Sequence, residues 1–343
     1  MKAMMLDHIV SLLDNPAPLY FTDITVPSPA AGEVLIRVST CGVCHTELDE
    51  IEGRTPPSKL PMILGHQVVG HVVEMGEDVE TVKVDQRVGV AWIFSACGIC
   101  QFCQRGEENL CADFKATGRD IYGGYAEFVA APAAYVHPIP ENITSQQAAP
   151  LLCAGAIGYR SLKLTGIEDG QNLGLTGFGA SAHLVLNLVR YKYPHTDVFV
   201  FARNPREREF AVELGAVWAG DTMELSPVKL HSIIDTTPVW KPVVEALKNL
   251  SSGGRLVINA IRKEDIDKEY LMHLDYPVHL WMEKEIKSVA NVTRADVRDF
   301  LDLAAEIPIV PTVQDYQLAD ANQALIDLKR GEIRGAKVLQ IGQ

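Results

Sequence analysis

The sequence predicts an α/β chain of two domains: a β-rich one formed by residues 1–152 and 288–343, and a doubly wound parallel-sheet one formed by residues 153–287. Three observations lead there. A chain of 343 residues exceeds what one ordinary hydrophobic core organises. Its first part is a series of short β-branched runs punctuated by Gly and Pro. Its middle alternates strand-like and helix-like runs, the pattern of a parallel sheet with helices on both faces.

In chain order, EVLIRVST, VVGHVVEMG, QRVGVAWIF and YAEFVAAP read as strands of an all-β or barrel-like region. LLCAGAIGYRSLKL has helical apolar spacing and a basic end. A strand QNLGLTGF, a Gly turn and a helix SAHLVLNLVRYK follow, then a strand DVFVFA and a helix EREFAVELGA. SIIDTT, a helix VVEALKNL and a strand GRLVINA complete the alternation. Beyond residue 287 come KSVANVT, a helix ADVRDFLDLAAEI, a strand VQDYQLA, another helix and a terminal strand AKVLQIG, expected to return to the first domain.

Composition narrows the function. With 47% hydrophobic and 22% charged residues, the chain has a soluble globular make-up that can bury a large core. A net charge of −13 with no basic stripe argues against nucleic acid or anionic membrane as the main partner, though a local basic cluster can still bind a small phosphate ligand. The apolar run in MKAMMLDHIVSLLDNPAPLYF is interrupted by Asp7 and Asp14 and lacks a small-residue cleavage site. No uncharged apolar stretch reaches about 18 residues, so no membrane span is expected. Of seven cysteines, four crowd into residues 97–111, which favours metal ligation in a reducing cytoplasm over a disulfide framework.

Those four stand in CGICQFCQRGEENLC as Cys97, Cys100, Cys103 and Cys111, a C-x2-C-x2-C-x7-C spacing in a lobe of about residues 95–113. Four thiolates on a short Gly-containing loop suit a closed, structural zinc site. An iron–sulfur cluster is the rival, but the usual C-x3-C-P continuation is missing. A loop without metal is the third reading.

GLTGFGASAH places Gly177, Gly179 and Ala182 in a G-x-G-x-x-A pattern between an expected strand and an expected helix. The first Gly allows the tight turn, and the second lets a pyrophosphate approach the backbone at the helix N-terminus. At the end of the next strand an NAD enzyme would carry an acid for the ribose 2′-OH. Here VFVFARNPRER has Ala202, followed by Arg203, Arg206 and Arg208. A missing carboxylate beside guanidinium groups favours the 2′-phosphate of NADP(H) over NAD(H); the alternative is that these arginines only solvate the next helix.

A catalytic zinc needs three protein ligands and one vacant position. Outside the lobe the candidates are Cys41, Cys44, Cys153 and the histidines, with His66 just after a turn in LGHQVVGHV and Cys153 at the head of a helix in APLLCAGAIGY. Taken in order, TCGVCHTEL, ILGHQVVG, the four-cysteine lobe, PLLCAGAIGYRSL and GFGASAH resemble the zinc-containing medium-chain alcohol dehydrogenases, closest to bacterial and archaeal members of about this length. The resemblance spans nearly the whole chain. It implies a GroES-like catalytic domain joined to a Rossmann domain. It also implies that Cys44, His66 and Cys153 hold the catalytic zinc, that Thr46 hydrogen-bonds the alcohol, and that His45 and Arg334 lie near the cofactor phosphates. Trp92 would wall the substrate pocket, and Cys41 becomes a small buried thiol.

Three departures stand out. The family's G-H-E reads Gly65-His66-Gln67 here, which puts in doubt any metal-ligand exchange by that side chain. Glu47 replaces the usual Asp that hydrogen-bonds the ligand histidine, and is one methylene longer, yet can still orient His66. Asp49 stands where many members end a proton relay at histidine. An exposed Asp is a poor base near neutrality, so relay through water, with Asp49 a solvated loop acid, is the alternative. His8, His71, His137, His183, His195, His231, His273 and His279 have no companion at ligand spacing, and the acidic run EDIDKE at 264–269 reads as a solvated face.

The expected activity is hydride transfer between a small or medium primary or secondary alcohol and NAD(P), with two zinc ions per subunit in a cytoplasmic homodimer or homotetramer. Two rivals are carried. A zinc-free quinone or enoyl reductase of the same superfamily would lack both thiolate sites. A non-catalytic binding protein draws support from Gln67 and Asp49 but has no need of the ligand set Cys44, His66 and Cys153.

Overall fold

In the computed structural model the N-terminal apolar run is strand β1 (Lys2–Leu6), paired antiparallel with β2 (Leu19–Asp23), and its Ala3–Leu6 stretch is core. Residues 1–307, 309, 311–331 and 335–342 are described. The elements that follow are β3 (Glu33–Val43), α1 (His45–Ile51), β4 (Val68–Met75), β5 (Arg87–Val90) and β6 (Ile93–Ser95). After them come α2 (Gln101–Gln104), β7 (Lys115–Ala116), β8 (Phe128–Pro132), β9 (Val136–Pro138) and α3 (Ser145–Pro150).

Contacts divide the chain into two units, Met1–Cys153 with Val292–Gln343, and Ala154–Asn291. The second unit holds α4 (Ala156–Thr165), β10 (Leu173–Thr176), α5 (Ala180–Lys192), β11 (Val198–Phe201), α6 (Pro205–Glu213), β12 (Trp218–Gly220) and β13 (Leu230–Asp235). It continues with α7 (Lys241–Leu247), β14 (Leu250–Ile258), α8 (Tyr276–His279) and β15 (Glu285–Ser288). The chain then returns to the first unit as α9 (Arg294–Glu306), β16 (Val313–Gln317), α10 (Ala321–Arg330) and β17 (Ala336–Gln340).

In the first unit β3 is the spine. Its 11 residues pair antiparallel with β4, β8 and β17, within a sheet ordered β16-β17-β3-β4-β5-β9. Val34, Ile36 and Val38 of β3 are fully buried with Val68, Val72 and Val88, and the strand runs to Val43. Caps fix the helix starts. Thr144 accepts from Gln147 N and Thr293 from Asp296 N, and each partner's side chain returns the bond in a capping box.

The second unit is one parallel sheet ordered β12-β11-β10-β13-β14-β15. Numbered within the unit this is 3-2-1-4-5-6, and the order reverses between β10 and β13, where loops at the carboxyl ends open a crevice. Every residue of β10 and β11 is buried, as strands covered on both faces must be. β15 completes this sheet, and its ladder continues as Val289 N donates to Ile258 O at 3.0 Å, so residues 288–291 fall in the second unit.

The expected helix at LLCAGAIGYRSLKL is two elements. Leu151–Gly155 is a π-helical stretch, and α4 begins only at Ala156. The widened turn follows directly after Pro150, which has no amide to donate to the preceding turn.

Candidate functional site

β3 delivers the chain to Cys44 in extended conformation (φ −137°), and Cys44 is the N-cap of α1. Glu47, in the first turn, turns back so that its Oε2 accepts the Cys44 amide at 2.8 Å. Its Oε1 lies 2.5 Å from His66 Nδ1, and both side chains are buried. One carboxylate therefore caps the helix and orients the imidazole, a reach that glutamate's extra methylene makes possible. His66 Nε2 is buried and has no hydrogen-bond partner. The Sγ atoms of Cys44 and Cys153 lie 4.0 Å apart, and the three ligand atoms of Cys44, His66 and Cys153 are all within 4.8 Å of one another. Thr46 Oγ1 is 3.6 Å from Cys44 Sγ.

These groups perturb one another. The Cys153 hydrogen bond, with His66 beside it, brings the Cys44 thiol well below its ordinary range against the effect of burial. Cys153 is pushed well up, by the same contact and then by burial. Burial alone would lower His66, but the Glu47 carboxylate and Cys44 outweigh it and raise the imidazole well above its usual value. A metal cation fits this donor set. It would satisfy the orphaned Nε2 and take the Cys44 and Cys153 sulfurs that stand 4.0 Å apart, and Nδ1 already has a carboxylate behind it.

The second thiol cluster is local. Gly98 (φ 75°) and Gly106 (φ 71°) let the chain double back so that Cys97 and Cys103 stand 3.9 Å apart and Cys100 and Cys103 3.6 Å apart, all four ligand sulfurs with Cys111 lying within 4.8 Å of one another. The Ile99 amide and then the Cys100 amide bring the Cys97 thiol down to about 7, which favours thiolate. Four sulfurs leave no position open, and zinc suits them. Buried Glu108 ties this lobe to the head of α9, accepting from Arg294 N at 2.9 Å and Nε at 3.0 Å.

Around the three-ligand centre, Cys41 is fully buried, and burial raises its thiol well above the ordinary value. Gln67 is buried, its carbonyl accepting from Gly42 N at 3.0 Å. Asp49 is not a solvated acid. It is buried on α1, and Arg54 Nε donates to its carboxylate at 2.5 Å, so a guanidinium occupies an oxygen that a relay would need. Trp92 is buried too, its ring 5.0 Å from Phe114 with the Arg119 guanidinium 5.4 Å over it. The sequence reading missed Glu50, whose carboxyl is fully buried with both oxygens lacking a partner, burial and then Glu47 raising it well above the carboxylate range. Its signal was position: Glu47, Glu50 and Ile51 fall on one face of a helix that the sequence did not reveal.

In the second unit Gly177 (φ 75°) turns the chain from β10 into α5, and Gly179 is the α5 N-cap. A Cβ on Gly177 would sit 3.0 Å from Thr236 Oγ1 and from Thr237 Cγ2, whereas one on Gly179 would meet nothing within 4 Å. Gly177 thus serves packing and the turn, and Gly179 leaves open space at a helix N-terminus, where a dinucleotide pyrophosphate fits. Ala182 is fully buried. Ala202 is buried at the end of β11, and Arg203 and Arg206 are exposed beside it. Arg208 is committed to the backbone, donating to Ala202 O at 2.8 Å and Arg203 O at 3.2 Å. His45 is exposed at the start of α1, and Arg334 lies outside the described residues.

Among the described residues, none of the eight other histidines joins a metal-competent group. His195 pairs with Asp169 at 2.6 Å, His231 accepts from Asn172 N at 2.9 Å, and His137 is buried and brought down to about 4 by burial and by Arg294 and Arg298. The run at 264–269 is not merely solvated, since Asp267 accepts from Trp240 N at 2.9 Å and Lys241 N at 2.7 Å and so caps α7.

Residues 30–141 match the family described as the alcohol dehydrogenase GroES-like domain. A probable alcohol dehydrogenase of Mycobacterium tuberculosis is 43% identical over 332 residues, covering 95% of this chain and 94% of the relative. An alcohol dehydrogenase of Geobacillus stearothermophilus is 33% identical over 334 residues, covering 94% and 96%. A solved thermostable alcohol dehydrogenase of Pyrobaculum aerophilum, with cobalt and zinc bound, has the same fold at a TM-score of 0.86 and 23% identity, with 99% of each chain covered.

Proposed function

This chain belongs to the zinc-dependent medium-chain alcohol dehydrogenase family, and from that premise we propose which of its residues carry an NAD(P)-linked interconversion of alcohols with aldehydes or ketones. The observation that carries the assignment is the buried, unpartnered Nε2 of His66 facing two cysteine sulfurs while Nδ1 is tied to Glu47. Cys44, His66 and Cys153 would hold the catalytic zinc, and Cys97, Cys100, Cys103 and Cys111 the structural one. When bound, zinc supplies a Lewis acid for the substrate oxygen, and the nicotinamide supplies the hydride acceptor or donor.

The chain's own residues do the rest. Glu47 fixes the tautomer of His66 and keeps Nε2 aimed at the ligand position. Thr46, beside Cys44, holds the alcohol hydroxyl and takes part in moving its proton. That proton continues to solvent and not to Asp49, whose carboxylate is engaged by Arg54. Trp92, whose ring packs against Phe114 beneath the Arg119 guanidinium, would wall a pocket for small or medium alcohols. Gly177, Gly179 and Ala182 shape the pyrophosphate turn.

NADP(H) is the favoured cofactor, because β11 ends in Ala202 with no carboxylate and the exposed Arg203 and Arg206 suit a 2′-phosphate. A homodimer or homotetramer is supported by β15, an edge strand exposed at every residue, flanked by exposed Tyr276, Trp281 and Met282. Two thiolate sites suit a reducing cytoplasm, and among the described residues no helix is long and apolar enough to cross a membrane.

The test is the initial rate of aldehyde reduction by zinc-loaded protein with NADPH and NADH side by side, over aldehydes from acetaldehyde to benzaldehyde. Chelator-sensitive turnover, faster with NADPH, is expected. Equal or greater efficiency with NADH removes the arginine reading. No turnover with either cofactor, on protein holding two zinc ions per chain, removes the alcohol and aldehyde reading.

A further inference from the structure

The loops that leave β13 and β14 are locked together at the sheet edge where the glycine turn leaves β10. Asp235, the last residue of β13, is fully buried. Its Oδ1 accepts from Thr176 Oγ1 at 2.5 Å and from Thr237 Oγ1 at 2.7 Å, and its Oδ2 pairs with the Lys263 ammonium. Lys263 Nζ also donates to the carbonyls of Thr237 at 2.7 Å and Val239 at 3.1 Å. The backbone repeats the clasp: Asn259 N donates to Asp235 O and Glu264 N to Pro238 O, each at 2.7 Å. From this clasp Thr236 Oγ1 reaches Thr176 O at 2.9 Å, and Thr236 and Thr237 underlie Gly177.

Stability alone does not account for a charge pair here. Burying two ions is costly, and well-packed apolar residues do as well or better. What the pair supplies is geometry. An ammonium has three donors and no acceptor, and Lys263 spends all three on fixed points of one loop, so it has none left to give a phosphate.

We propose that Asp235 and Lys263 are positioning residues for the dinucleotide: they fix residues 235–237 beneath Gly177 and so hold the turn in the shape that receives the pyrophosphate. This rests on reading Gly177–Gly179 as the dinucleotide loop. Loss of Lys263 takes the partner from Asp235 Oδ2 and the donor from the Thr237 and Val239 carbonyls, which frees the loop to rearrange.

The experiment titrates zinc-loaded wild type, Lys263→Met and Thr237→Val with NADPH and with NADH, following bound-nucleotide fluorescence, and adds steady-state kinetics. The cofactor dissociation constant and KM are expected to rise about tenfold in Lys263→Met and about threefold in Thr237→Val, while kcat at saturating cofactor and zinc content are retained. A purely structural loss would lower active fraction and kcat without this split. Both variants folding and binding cofactor within about twofold of wild type would overturn the proposal. If Lys263→Met does not fold, Thr237→Val, which keeps the ion pair, decides alone. Wild type binding neither nucleotide brings down the loop reading itself, an outcome distinct from tight wild-type binding that the variants leave unchanged.

Discussion

The two thiol clusters use the same chemistry to opposite ends. The lobe draws Cys97, Cys100, Cys103 and Cys111 from 15 consecutive residues, and Glu108 within it grips Arg294. The other centre draws Cys44 from the end of β3, His66 from the approach to β4 and Cys153 from a π-helical turn, with a buried glutamate behind the histidine. Four local sulfurs close around an ion and cross-link a loop; three dispersed ligands leave one coordination position for chemistry. Ligand count and origin, more than ligand type, separate staple from catalyst.

The largest expected effect breaks the catalytic side. Cys44→Ser or His66→Ala should lower kcat/KM by about a thousandfold or more and remove one of two zinc ions, as read by metal analysis and kinetics on the folded protein. Near-normal turnover with one zinc lost would reverse the assignment of roles. Cys103→Ser should do the opposite: a stability loss of about 3 kcal/mol or more in denaturant unfolding, with turnover per remaining zinc preserved. A folded Cys103→Ser variant with intact stability and no activity would erase the distinction.

Glu47→Gln sharpens it further. Zinc affinity at the three-ligand centre should fall about 10- to 100-fold in chelator competition, with the lobe zinc unmoved. A last effect is one of pH. His137, in β9, has its folded value at about 4, below that of the unfolded chain, so between about 6.5 and 4 the unfolded state binds the proton more readily. Its stabilising contribution is complete above about pH 6.5 and is lost as pH falls through about 4, a loss of about 3 kcal/mol. In His137→Gln, urea unfolding should lose that part of its pH slope, and an unchanged slope would assign it elsewhere.

What the sequence made legible was local. The C-x2-C-x2-C-x7-C spacing, the glycine turn and the strand–helix alternation each lie within a short window, so periodicity and spacing expose them. What stayed hidden depends on reach across the fold. Asp49 could not be known as buried and paired because Arg54 meets it only once α1 has turned. Asp267 looked like a solvated charge because the helix it caps begins 26 residues earlier at Lys241. Glu50 carried no motif, and only the burial of α1 from Glu47 to Ile51 singles it out. The resemblance supplied the choice of Cys44 over Cys41; the spacing alone left both open.

The glutamate that caps α1 also has a consequence for motion. Its two oxygens join the Cys44 amide to the His66 ring, so the first turn of α1 and the ligand set open and close together. Withdrawing zinc with a chelator should therefore be visible in the backbone itself, as faster hydrogen–deuterium exchange at the Cys44 amide. An ion held there would double as a latch on the first turn of a helix.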